Sequence, residues 1–309
     1  MLRTGLLWLS ERPQVFRLLR RNGLARRFAA RFVAGETVES AVEAARGLNR
    51  AGITATLDFL GESITREPEA AQARDTYLQL LDRIAREGVQ ANVSLKLTQL
   101  GFDLGPELCL ANMTAILERA KALENFVRID MESSHYTQRT LDFFTGLFDR
   151  YGRHCGVVIQ SCLRRSEADV ERLISMGARV RLCKGAYLEP PDVAFQAKAD
   201  VDRNYIRLME LLLARGNYPA LATHDVALIE HAKRFARAQQ ILPSRFEFQM
   251  LYGVRRDLQA ALRRQGYNVR VYIPFGTQWY PYLMRRLAER PANIAFILGN
   301  LVREAVHRS

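Results

Sequence analysis

Eight short, mostly apolar runs recur along the chain, and segments with helical periodicity fill the gaps between them. The runs lie at 53–60, 89–97, 126–131, 155–160, 179–184, 219–224, 246–250 and 268–274; the helical segments lie at 67–87, 107–124, 136–151, 166–176, 192–215, 226–240 and 255–265. Strands separated by helices of this length pair in parallel, because the helix supplies the crossover that a hairpin cannot. Eight such strands close into a barrel. A doubly wound open sheet is the competing arrangement, but it usually carries G-x-G-x-x-G, and no such spacing of glycines occurs here. The expected fold is therefore α/β, a (β/α)8 TIM-like barrel, with extra helices ahead of it.

Those extra helices occupy the first fifty residues. Ser10 and Pro13 mark one helix start, and Thr37-Val-Glu-Ser40 opens another whose Ala41, Ala44 and Ala45 recur at helical spacing. The organisation predicted is a helical segment over 1–50 packed on a catalytic barrel over 51–309. No Ser/Gly linker or repeat divides the 309 residues.

Composition narrows the class. With 48% apolar and 25% charged residues, and no run near 18 consecutive apolar residues, the chain reads as globular and not as a membrane span. The four cysteines, Cys109, Cys155, Cys162 and Cys183, form no C-x-x-C pair and have no histidine at zinc spacing. They read as reduced thiols of a cytoplasmic protein, with no metal site. The net charge of +12 is uneven: residues 1–31 hold eight arginines against Glu11. That face is either solvated, drawn to anionic lipid, or drawn to nucleic acid.

Six of the runs end on a polar or charged residue: Lys96, Asp130, Gln160, Lys184, His224 and Gln249. A buried polar group costs a few kcal/mol (about 2–7) unless it finds a partner. Parallel barrels gather their active sites at the C-terminal strand ends. The pattern points to an enzyme. Farther on, Tyr282, Arg285 and Arg286 share one face of a helix beside Trp279. Two guanidiniums there form either a fork for a carboxylate or a solvated pair. Lys96, inside an apolar strand, tips the balance toward an anionic substrate group. Asp130 is a candidate partner for Arg181 or Lys184, and Glu62 for Arg285.

The motif series VSLKLTQLG (93–101), RIDME (128–132), VVIQS (157–161), RLCKGAYLEP (181–190), ATHD (222–225), RFEFQMLYGV (245–254) and YPYLMRR (280–286) resembles that of proline dehydrogenases of the short, monofunctional bacterial type. The likeness begins within 26–37 and runs in order nearly to the C-terminus.

The resemblance implies a distorted (β/α)8 barrel that uses FAD to oxidise L-proline to Δ1-pyrroline-5-carboxylate, the first step of proline catabolism to glutamate. It implies flavin contacts at Met131, Gln160, Arg181, Lys184, Gly185, Ala186, Thr223, His224 and Gln249. It implies substrate contacts at Lys96, Tyr187, Tyr282, Arg285 and Arg286, and an ion-pair gate of Glu62 with Arg285. Asp130, Arg181 and Tyr272 form the expected catalytic set. The implied electron acceptor is a membrane quinone, so the basic N-terminal face would bring a cytoplasmic enzyme to the anionic inner surface of the membrane. Methylenetetrahydrofolate reductase shares the architecture and cofactor, but its pteridine substrate needs a long cleft, whereas three cations and tyrosine walls suit a small amino acid. Nucleic-acid binding would instead interleave aromatic and basic residues on one strand face, and is not expected. The oligomeric state is left open.

Overall fold

The computed structural model describes residues 30–280 and 282–283. Its strands β1 (Thr54–Phe59), β2 (Ala91–Leu95), β3 (Val127–Ile129), β4 (Cys155–Gln160), β5 (Arg179–Cys183), β6 (Ala220–Ala222), β7 (Glu247–Leu251) and β8 (Asn268–Phe275) form a closed barrel. Each strand pairs in parallel with the next, and β8 closes on β1 with Ala55 opposite Val271 and Leu57 opposite Ile273. The expected (β/α)8 barrel is the observed fold.

Helix α1 (Val38–Asn49) precedes β1, and α2 (Glu67–Arg86), α3 (Pro106–Ala122), α4 (Ser134–Tyr151), α5 (Ser166–Ser175), α6 (Lys198–Arg215), α7 (Val226–Ala238) and α8 (Arg256–Arg264) follow the first seven strands in turn. Their starts are written in local chemistry. Thr37 caps α1 by accepting from the Ser40 amide at 3.3 Å, and the Ser40 hydroxyl oxygen accepts from the Thr37 amide in return. Proline occupies the first turn of α2 and α3, where its missing N–H leaves no bond unmade. In α2, Ala70, Ala73, Tyr77, Leu80, Leu81 and Ile84 form one buried stripe at helical spacing, and that stripe faces the barrel.

Most boundaries fall within about two residues of expectation, and the largest difference is at one helix start. The helix predicted over 192–215 begins only at Lys198. Residues 187–197 instead form an irregular strap, because their backbone groups are taken up by the neighbouring loop. Arg164 N donates to the Val193 carbonyl at 2.9 Å, and Phe195 N donates to the Cys162 carbonyl at 2.8 Å. The helices expected before Thr37 and after Leu283 lie outside the described residues.

The strands alternate with period two, and the apolar half points outward. Val93, Leu95, Val127, Ile129, Val157, Ile159, Val180 and Leu182 join the helices in one core. The other half fills the lumen with polar groups that bond across the barrel. Near the N-terminal strand ends, Arg270 on β8 donates to Glu247 on β7 at 2.9 Å and to Asn92 on β2 at 2.8 Å. Thr56 on β1 donates to the same Asn92 oxygen at 2.7 Å. Gln249 then bridges upward, giving its amide to Glu247 at 2.6 Å and taking a bond from Arg181 at 3.5 Å. Gly156 on β4 makes room for another buried cation, Arg128, which donates to the Arg179 carbonyl: a Cβ there would lie 2.5 Å from that carbonyl oxygen and 2.7 Å from Arg128 Nη1. The polar column ends at the C-terminal mouth.

Candidate active site

Asp130 is the hub of that mouth. Leaving β3, it accepts hydrogen bonds from Tyr272 on β8 at 2.8 Å, from Ser94 on β2 and from Arg181 on β5. Closure of the barrel is what brings these strands within reach of one carboxylate. Burial by itself would push the Asp130 carboxyl up. The Arg181 guanidinium, the Lys96 ammonium and the hydrogen bonds from Ser94 and Tyr272 outweigh it and hold the group below the usual carboxylate range. Arg181 also donates to Ser94 at 3.3 Å, and its guanidinium lies over the Tyr272 ring with 5.1 Å to the centroid. Burial, with Asp130 and Asp58 close by, drives the Tyr272 phenol well above its ordinary range, so it stays a donor.

Lys96 stands just past β2, with its ammonium 3.6 Å from Asp130 and 3.7 Å from Asp58. Burial would depress its pKa, but Asp58, Asp130 and Glu62 outweigh burial and raise it. The lysine is a fixed positive charge. Asp58 was not among the sequence candidates. It sits in mid-run in TATLDF, where a buried charge was as visible a signal as Lys96 but did not fall at a strand end. Burial pushes its carboxyl above the usual range against the pull of Lys96.

A cavity of about 720 Å³ opens over this cluster, within the usual range of about 300–1,000 Å³ for ligand pockets. Asp58, Lys96, Asp130, Arg181 and Tyr272 form its floor, and Met131 with Gln249 completes the lining near them. The rim comes from the β4 to β7 ends. Gln160 donates to the Glu132 carbonyl at 2.8 Å, which fixes its amide with Oε1 turned toward Gly185. Gly185 has φ +106°, and a Cβ there would lie 2.4 Å from Cys162 Sγ, so the Gly185–Ala186 turn packs against Cys162 in a way that only glycine permits. The His224 ring accepts the Leu251 amide proton at Nε2, 2.9 Å away, so the neutral ring carries its proton on Nδ1. The Thr223 hydroxyl oxygen accepts from the Asp225 amide at 3.1 Å and keeps its own proton to donate.

Lys184 pairs with Asp202 at 2.5 Å and Asp225 at 3.0 Å. Of the two partners expected for Asp130, Arg181 is therefore the one that pairs with it, and Lys184 is held elsewhere. Lys198 and Asp202, which complete this second charge cluster, come from the first two turns of α6 and carry no strand-end signal. Tyr187 from the strap and Tyr282 both line the cavity. Glu62 does not line it, although its charge reaches Lys96. Arg285 and Arg286, the predicted carboxylate fork and half of the gate, lie outside the described residues.

Known proteins with the same chain plan are close. Proline dehydrogenase of Deinococcus radiodurans is 43% identical over 305 residues, spanning 97% of this chain and 98% of its own. Proline dehydrogenase 1 of Bacillus subtilis strain 168 is 41% identical over 304 residues, spanning 98% and 100%. Among solved structures, proline utilization A from Bdellovibrio bacteriovorus inactivated by N-propargylglycine superposes with a TM-score of 0.82 at 27% identity. That match covers 89% of this chain and 34% of the longer one, so this chain spans about a third of that protein. The proline dehydrogenase family model matches residues 41–298, a span that takes in every strand and the whole cavity floor; with near full-length relatives above 40% identity, the chain belongs to the proline dehydrogenase family.

Proposed function

We propose that the enzyme holds FAD and L-proline side by side in this one cavity and converts proline to Δ1-pyrroline-5-carboxylate. The observation that carries the reading is the shared hollow: a fixed cation for a small acid, Lys96, lies beside a rim of donors suited to a flavin. The fit to FAD rests on the chemistry of that rim. Gln160, Arg181, Lys184, Thr223 and His224 offer hydrogen bonds or charge, and the compact Gly185–Ala186 turn, which also lines the cavity, would let a flat ring or a phosphate approach the backbone closely. Met131 and Gln249 would meet the same group from the floor. When bound, FAD supplies the acceptor for a hydride and the route by which two electrons leave to a quinone.

The protein's part is placement. Lys96 receives the proline carboxylate, joined in this proposal by Arg285 and Arg286. Tyr187, Tyr272 and Tyr282 wall the ring so that its C5–H presents one direction. Positioning of this sort lowers barriers by about 7–11 kcal/mol in the best cases. Asp130 holds Lys96, Arg181 and Tyr272 in register with one another. As C5 gives up hydride, the ring nitrogen loses a proton to water and the C5–N double bond forms. Glu62 with Arg285 would close the mouth over the substrate.

Anaerobic addition of L-proline to purified enzyme tests cofactor, substrate and reaction together. The visible flavin band is expected to bleach in proportion to proline until one equivalent is consumed. Protein that neither carries nor takes up a flavin would end this reading. No helix among the described residues is long and apolar enough to cross a membrane. For delivery of electrons to a membrane quinone, we place the basic stretch 1–31 against anionic lipid. Sedimentation with phosphatidylglycerol vesicles at low salt should carry the protein down and high salt should release it; protein left in the supernatant at both would refute the lipid contact.

A further inference from the structure

Lys96 is held between two carboxylates and bonded to neither. At 3.6 and 3.7 Å, both contacts are too long for an ammonium hydrogen bond, which peaks near about 2.9 Å. Among the described residues its three donors therefore remain available to a third partner. On the other side, Asp58 Oδ2 is buried and makes no hydrogen bond among the described residues. The two carboxylates are not equivalent. Asp130 is committed to Ser94, Arg181 and Tyr272, while Asp58 has a long 3.5 Å contact from the Tyr77 hydroxyl at Oδ1 and the Tyr272 hydroxyl nearby, which it shares with Asp130.

We propose that Asp58 is a positioning residue for the substrate carboxylate, acting through Lys96: it draws the ammonium away from Asp130 and keeps it centred over the cavity floor. Without Asp58, the strongest attraction left to Lys96 among the described residues is Asp130, with Glu62 behind it. The lysine closes on the Asp130 carboxylate, and its donors turn from the cavity into an internal ion pair. The inference rests on the reading that Lys96 receives the carboxylate, and the test separates the two.

The probe is cyclopentanecarboxylate, which keeps the ring and the carboxylate of proline but lacks its nitrogen and cannot be turned over. Its Kd is measured by calorimetry on flavin-loaded wild type, Asp58→Asn, Lys96→Met and the double variant. Asp58→Asn is expected to weaken binding about tenfold and Lys96→Met about a hundredfold, with the double variant no weaker than Lys96→Met because Asp58 then has nothing to act on. Unchanged binding in Asp58→Asn overturns the proposal. Tighter binding also overturns it, by showing that the carboxylate merely repels the ligand. Multiplying losses in the double variant overturn it too, since they mark a general structural role. Unchanged binding in Lys96→Met defeats the underlying reading instead, and Asp58 with it. Asp58→Ser removes the same charge with a smaller side chain should Asn not fold.

Discussion

Asp130→Ala is expected to lower kcat/KM for proline by roughly 10²–10⁴-fold while the barrel still forms. Asp130 faces two buried cations, Arg181 and Lys96, and it accepts three hydrogen bonds. Removing one member of a buried, hydrogen-bonded ion pair costs about 3–5 kcal/mol, because the partner is left without a counter-charge. At 1.36 kcal/mol per decade, a loss of that size at the site corresponds to the stated range. The barrel should survive because its outward-facing apolar half is untouched. Asp130→Asn keeps a single acceptor oxygen, enough for Tyr272 or for Ser94 but not for both, and loses the charge, so it should fall between wild type and Ala. Steady-state rates with an artificial electron acceptor, read beside a circular dichroism spectrum, decide the matter. An Ala variant within tenfold of wild type would show that Arg181 and Lys96 hold their places unaided.

Glu247→Ala tests the other end of the lumen, where the consequence is stability. Glu247 is 2% exposed and takes both nitrogen–oxygen contacts of Arg270, at 2.9 and 3.1 Å. Burial works to raise its pKa, but the Arg270 guanidinium and the bonds from Arg270 and Gln249 hold it below the usual value. Loss of the carboxylate strands Arg270 in the barrel at a cost of about 3–5 kcal/mol. For a chain of this size, that is a fall in Tm of about 6–15 °C. The pH dependence follows from the direction of the shift. A carboxyl with a depressed folded pKa contributes stability that is fully present above its unfolded pKa. That contribution is lost as pH falls through the folded value. Wild type should therefore lose part of its stability below the ordinary glutamate range, and the Ala variant should show a flatter acid limb. Denaturant melts between pH 7 and pH 3.5 give both curves; parallel curves would mean that the Glu247 pKa does not change on folding.

The order and number of strands were legible because period and length are local properties. A short, β-branched run between helical segments reads as a strand whatever it later touches. The candidate site was legible in part for the same reason. Lys96, Asp130, Gln160, Lys184, His224 and Gln249 each interrupt an apolar run, and burial of such groups needs an explanation. Residues 192–197 of the strap read as helix because their side chains tolerate helix; the hydrogen bonds that prevent it come from 162–164, on another loop. Asp58 and Glu247 were passed over because a charge inside a strand shows that a partner is needed but not which strand carries it.

By itself, then, the chain's local patterning determined that eight parallel strands would form and which of their residues would be awkward to bury. Only closure of the barrel decided who answers whom: Asp130 with Arg181 and Tyr272, Lys96 between two carboxylates, Lys184 with Asp202 and Asp225. Those partnerships depend on how strands, and the helices and loops that follow them, are set against one another across the barrel. That arrangement is set by the packing of the whole cylinder and leaves no local mark.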